Sequence, residues 1–127
     1  MNGQVVHFEV PAKDLDRAKA FYSKVFGWKT RDVEMPGMKY VLVTTTKVDK
    51  QGRPTEPGSI NGGMMKLTKP FRGPIITMQV EDISKSLKAV EKLGGKTVVG
   101  RTAMGEWGYY GYFEDSEGNL MGLFENP

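Results

Sequence analysis

The chain of 127 residues is 39% hydrophobic, 26% charged and 10% aromatic, a balance that fits one folded domain with a genuine core. It has no cysteine, which removes disulfides, thiolate metal clusters and cysteine nucleophiles, and a single histidine, His7, which removes any site needing two imidazoles from one chain. The net charge of +3 is uneven, since residues 1–73 carry 13 Lys/Arg against 7 Asp/Glu and residues 74–127 carry 5 against 8. The basic residues are scattered singly, as in Lys13, Arg17, Lys19 and Lys24, so they read as a solvated helix face and no nucleic-acid partner is expected. The opening Met1-Asn2-Gly3-Gln4 is not a basic segment leading into a long apolar one, and no window reaches the ~18 apolar residues of a membrane span. The expectation is a soluble, cytoplasmic chain with no membrane partner.

Val5 to Val10 alternates as a half-buried strand, with Val6, Phe8 and Val10 on one side and Val5, His7 and Glu9 on the other. Asp14 is placed to cap a helix in which Leu15, Ala18, Phe21, Tyr22, Val25 and Phe26 form the apolar stripe, ending at Gly27. Trp28 to Glu34 and Tyr40 to Thr46 read as strands joined by a turn at Pro36-Gly37. Lys47 to Gly58 is a polar connection, a candidate contact or lid segment, and Ser59 to Leu67 resumes an extended pattern around Gly62-Gly63. After the breaker-rich Thr68-Lys69-Pro70-Phe71-Arg72-Gly73 the order of elements starts again. Ile75 to Val80 is a strand, and Asp82 caps a helix with Ile83, Leu87, Val90 and Leu93 as its buried stripe and Gly94-Gly95 as its end. Lys96 to Val99, Tyr109 to Glu114 and Leu120 to Glu125 supply three more strands.

Each half therefore reads βαβββ, and His7-to-Asp14 spans the same seven-residue interval as Ile75-to-Asp82. This is the pattern of a structural duplication: a single α+β domain over residues 1–127, with module one about 4–67, a linker at 68–73 and module two about 74–127. One helix covers one face of such a four-stranded unit, so pairing two units is expected to give a curved sheet with the helices outside and a cleft inside.

VVHFEVPAKDLDRAKAFYSKVFGW, VEDISKSLKAVEKLGGKTV and YFEDSEGNLMGLFE fall at matching places in the two modules. Together they resemble the vicinal oxygen chelate superfamily, the glyoxalase, bleomycin-resistance and extradiol dioxygenase fold, over nearly the whole chain. The resemblance implies two βαβββ modules, usually in a homodimer. It also implies four cleft-facing positions that hold a divalent ion in the metal-dependent members, two from each module. Carried onto this sequence these positions are His7, Ile75, Gly122 and a counterpart near Gly62. Isoleucine and glycine bring no lone pair, so His7 is the one ligand-type residue retained and no cofactor is expected. A shift of the alignment by two residues would bring Glu9 or Glu125 into play, and a divalent metal with them.

His7 is either a strand histidine bonded to a neighbour or a proton carrier in the cleft. Glu9, on the same face, is either an ion-paired carboxylate or a general base, and burial without a partner would raise its pKa. Trp28, Trp107 and Tyr110, with Tyr40, Tyr109 and Tyr112, supply flat surface for a small apolar ligand, and core packing accounts for such residues equally. Met64, Met65, Met78 and Met121 read as adaptable filling on strands. Gly62 and Gly122 enlarge the cleft where carboxylates would otherwise stand. The candidate catalytic residues are thus His7 and Glu9. The candidate ligand-binding set is His7, Glu9, Trp28, Gly62, Ile75, Trp107, Tyr110 and Gly122, and no metal ligand set is assigned. Neither a GxGxxG turn nor a GxSxG elbow occurs.

Three functions compete. The leading one is a metal-independent protein that binds a small organic molecule, as a homodimer. The alternative is an enzyme, either a metal-dependent lyase or isomerase of the glyoxalase kind or a metal-free acid–base catalyst using His7 and Glu9. The third is an accessory module whose cleft does no chemistry.

Overall fold

The structure, a computed structural model, describes residues 3–35 and 38–127. It is α+β: β1 (Gln4–Ala12), α1 (Leu15–Phe26), β2 (Lys29–Met35), β3 (Met38–Thr44) and β4 (Asn61–Lys66) are followed by β5 (Ile75–Gln79), α2 (Ile83–Lys92), β6 (Lys96–Ala103), β7 (Tyr109–Glu114) and β8 (Leu120–Glu125). The turn expected at Pro36-Gly37 lies outside the described residues. Two compact units result, one over residues 7–74 and the other over residues 75–127 together with the start of β1 up to Val6. Gly3 belongs to the latter unit and donates its N–H to the Gln79 carbonyl at 2.8 Å.

The two caps form as the repeated interval requires. Asp14 is extended (φ −129°) and its carboxylate accepts the Arg17 N–H at 3.0 Å; Asp82 does the same (φ −148°) for Lys85, also at 3.0 Å. Gly27 ends α1 in the left-handed conformation (φ 73°) that a side chain resists, and its N–H returns to the Ser23 carbonyl at 3.0 Å.

In the unit of residues 7–74 the strands run β2-β3-β4-β1, antiparallel except for the parallel β1–β4 pair. Val41, Val43 and Met64 form its buried centre, packed by Phe8, Val10, Leu15, Ala18, Tyr22 and Trp28, so this face of the sheet carries α1. Strand alternation then turns His7, Glu9, Tyr40, Gly63 and Met65 to the opposite face. The polar connection after β3 is organised round Asp49, whose carboxylate accepts the N–H groups of Gln51 and Arg53 at 2.9 Å each. In the other unit β5-β8-β7-β6 repeats the scheme, with β5 and β8 parallel. Val80, Ile83, Leu87, Phe113 and Leu123 make the core beneath α2, joined by Met78, Val90, Tyr109 and Met121.

Two expected stripes are narrower than the sequence pattern implied. On α1, Leu15, Ala18 and Tyr22 meet the sheet, while Phe21, Val25 and Phe26 are 55%, 55% and 63% exposed. The apolar positions span a wider arc than one flat sheet covers, and Phe21 and Val25 fall on its flank. On α2, Ile83 and Leu87 are buried but Leu93, at the C-cap, is 79% exposed, because the chain has already left the helix there. The strand begun at Lys96 also continues to Ala103 rather than stopping at Val99, its register against β7 shifting between Thr97 and Val99 and again before Thr102.

Candidate functional site

The sheet face opposite α1 carries a hydrogen-bonded group of three polar side chains. Glu9 and Tyr40 are buried, 5% and 7% exposed, on strands separated by β4. The Tyr40 hydroxyl donates to Glu9 Oε2 at 2.6 Å, and the Tyr40 hydroxyl oxygen lies 2.9 Å from His7 Nε2. Since the one phenolic proton goes to Glu9, the Tyr40 oxygen is an acceptor toward His7, which places a proton on Nε2 of a neutral ring. Burial pushes the His7 imidazole down from 6.5 to about 4, consistent with that neutral donor. A carboxylate, a phenol and an imidazole N–H thus form one continuous hydrogen-bonded chain, the arrangement general acid–base chemistry uses.

Gly63 makes the chain possible. It stands opposite Glu9 in the β1–β4 register, and a Cβ at this position would overlap the Tyr40 phenol. The absent side chain is the space through which the phenol crosses β4. In the second unit Gly122 stands opposite Thr77. The common seven-residue interval to the caps matches Glu9 with Thr77, so the counterpart of Gly122 is Gly63, one residue beyond the Gly62 position expected. Gly62 pairs with Phe8 and faces the helix side, where a Cβ would strike the Phe8 ring and carbonyl. The difference comes from the pairing register, which the spacing of motifs does not encode.

The other candidate residues fall on several elements. Trp28 sits on the helix side, stacked on Tyr22 at 4.6 Å and 9° and lying 5.4 Å from Phe8. Trp107 is in a 3₁₀ turn at Gly105–Trp107 and is 40% exposed. Ile75 and Gly122 occupy one face of the second unit, with Thr77, Tyr110 and Tyr112; the two tyrosine rings meet edge to face at 5.9 Å. Glu125 is on the other face, where Arg101 grips it from Nε and Nη2 (2.8–3.2 Å) and the Ile83 N–H donates to it at 2.9 Å. These bonds hold its carboxyl below the usual range, Arg101 first and the Ile83 N–H second. Glu125 is therefore an anchor for the start of α2. Tyr40 and Gly63 are the members of the site that a reading of single strands left out; alternation places Tyr40 on a face but not across two strands from Glu9.

Against the divalent ion that the family resemblance implies, these residues offer one side-chain donor. His7 has a side-chain donor atom, with Nε2 directed at Tyr40, whereas Ile75, Gly63 and Gly122 have none in their side chains. No group of three or more His, Asp or Glu side chains suited to an ion assembles among the described residues.

Comparison with known proteins agrees with this architecture. A glyoxylase-like domain-containing protein of Didymella fabae is 31% identical over 132 aligned positions, covering 100% of this chain and 97% of the relative. A lactoylglutathione lyase of Oryza sativa subsp. japonica is 33% identical over 88 residues, 65% of this chain and 30% of that longer protein. Among solved structures, methylmalonyl-CoA epimerase from Mycobacterium tuberculosis superposes with a TM-score of 0.67 at 19% identity, covering 98% of this chain and 88% of its own. A Streptomyces coelicolor methylmalonyl-CoA epimerase variant in complex with 2-nitronate-propionyl-CoA gives 0.69 at 14% identity over 99% of this chain and 96% of that one. At those identities the structural likeness concerns the fold. The family model for the Glyoxalase/Bleomycin resistance protein/Dioxygenase superfamily matches residues 4–123, and with the duplicated βαβββ units it establishes that this chain belongs to that superfamily.

Proposed function

We propose that the protein binds a small organic molecule without a bound divalent metal, at the face that carries Glu9, Tyr40 and His7. The single observation behind this reading is the Tyr40 phenol over Gly63, which occupies the space a side chain at that position would take and engages the one imidazole. The Glu9 carboxylate can accept hydrogen bonds from hydroxyl, amide or amine groups, and Met65 on the same face, fully buried, adds an adaptable apolar wall. The test is a thermal-shift and calorimetric screen on chelator-treated protein. Ligands that stabilise it before any metal is added agree with the reading, and ligands that do so only after a divalent ion is supplied contradict it.

A second reading, metal-free acid–base catalysis, draws on the 2.6 Å Tyr40–Glu9 bond, which gives the carboxylate a proton donor within direct reach. A substrate with an acidic C–H next to a carbonyl fits a carboxylate base. Turnover lost in Glu9→Gln and reduced in Tyr40→Phe separates catalysis from binding, and unchanged turnover in both ends this reading. The proposal includes a homodimer, for which Phe21, Val25 and Phe26 on α1 are apolar surface available for burial. Sedimentation that finds monomers at high concentration removes that part.

A further inference from the structure

We infer a second binding site, for a compact phosphate-bearing anion, at the edge of the first unit where β1 and β4 end. Three lysines from separate elements meet there. Ala12 pairs with Lys66 and Tyr40 with Met65, so Lys13, which follows Ala12, and Lys39, which precedes Tyr40, come to the same end of the sheet as Lys66. All three line one open recess of about 580 Å³, together with Thr68 and Phe71. A small bridge between Thr68 and Phe71 closes the turn that carries those last two residues, and the Leu67 N–H bonded to the Ala12 carbonyl at 2.9 Å holds the strand ends together.

None of the three lysines is ion-paired or hydrogen-bonded through its ammonium group among the described residues. Like charges brought to one concavity repel, and a bound anion turns that repulsion into attraction. Asp14 and Asp16 also border the recess and bring negative charge to it, Asp14 accepting the Arg17 N–H and Asp16 meeting Lys19 at 3.3 Å, so the three ammonium groups outnumber the two carboxylates and keep the recess positive. The recess lies on the α1 side of the sheet, where Lys39 and Lys66 point opposite to Tyr40 and Met65, so it is separate from the His7–Tyr40–Glu9 chain. Three ammonium donors and a hydroxyl suit the oxygens of a phosphate monoester, and the Phe71 wall suits a flat or apolar group attached to it.

Titration of the intact protein with phenyl phosphate at constant ionic strength, followed by amide NMR, tests the site. Saturable shifts confined to residues near Lys13, Lys39, Lys66 and Thr68 are the result expected. Lys13→Ala, Lys39→Ala and Lys66→Ala should each weaken binding about fivefold, a size set by the exposure of these side chains. Lys66→Arg should restore binding, and Lys88→Ala, in the other unit, should leave it unchanged. Shifts that grow without saturation, or that respond equally to Lys88→Ala, mean general surface charge and overturn the assignment. Retention of binding in the three alanine variants, each checked for native amide dispersion, overturns it as well.

Discussion

The neutral, half-buried His7 makes a measurable demand on stability as the pH falls. In the unfolded chain its imidazole takes up a proton at about 6.5, whereas in the folded chain it does so at about 4. Above the higher value both states are neutral and the residue adds no pH dependence. Between the two values the unfolded chain binds a proton that the folded chain refuses, so stability falls as pH drops, and below about 4 the difference is constant. Integrated over that window the loss is about 3 kcal/mol. The perturbation is His7→Gln, which keeps an N–H donor for Tyr40 but does not titrate. Urea unfolding followed by tryptophan fluorescence at several pH values gives both curves, and carboxylate titrations cancel in their difference. The wild type should lose about 3 kcal/mol more than the variant on passing from neutral pH to about pH 4. Parallel curves across the whole window would refute the neutral imidazole in the folded chain.

Tyr40→Phe removes the hydroxyl shared by Glu9 and His7 and is expected to cost about 1–3 kcal/mol, a drop of several degrees in Tm, while the His7 pH dependence persists because burial causes it. Gly63→Ala forces a Cβ into the Tyr40 phenol and should cost about 1–3 kcal/mol; in a Tyr40→Leu background the cost should shrink, and equal costs in both backgrounds would mean the two positions do not touch. Ile83→Ala empties a fully buried position under α2 and should destabilise by about 2–5 kcal/mol in denaturant unfolding. Arg101→Gln releases the Glu125 carboxyl toward its ordinary pKa. Stability held above the unfolded carboxylate value and lost as pH falls through the lower folded one is thereby reduced, so acid unfolding should begin at a higher pH.

Most of the fold was legible along the chain because its signals are local. Asp14 and Asp82, each preceding an apolar helical stripe, marked the helix starts, and both carboxylates accept the N–H expected of them. Alternation in Val5 to Val10 separated Phe8 and Val10 from His7 and Glu9, and the two pairs do lie on opposite faces. The apolar stripe of α1 was legible as a pattern but not in its width. Whether Phe21 or Val25 is covered depends on how far the neighbouring sheet extends, and no periodicity in the helix records that.

The candidate site was legible only by halves. His7 and Glu9 follow from one strand, and the lack of a side-chain donor at Ile75 and Gly122 follows from residue type. That Tyr40 reaches both His7 and Glu9 depends on the order β3-β4-β1, on a register that sets Gly63 opposite Glu9 and Leu42, and on a backbone with no Cβ in the way. Alternation and capping act over a few residues and are written into the chain directly. Strand order and register come from contacts between residues far apart in the sequence, so the bond between residues 9 and 40, and with it the chemistry of this face, exists only once the sheet is assembled.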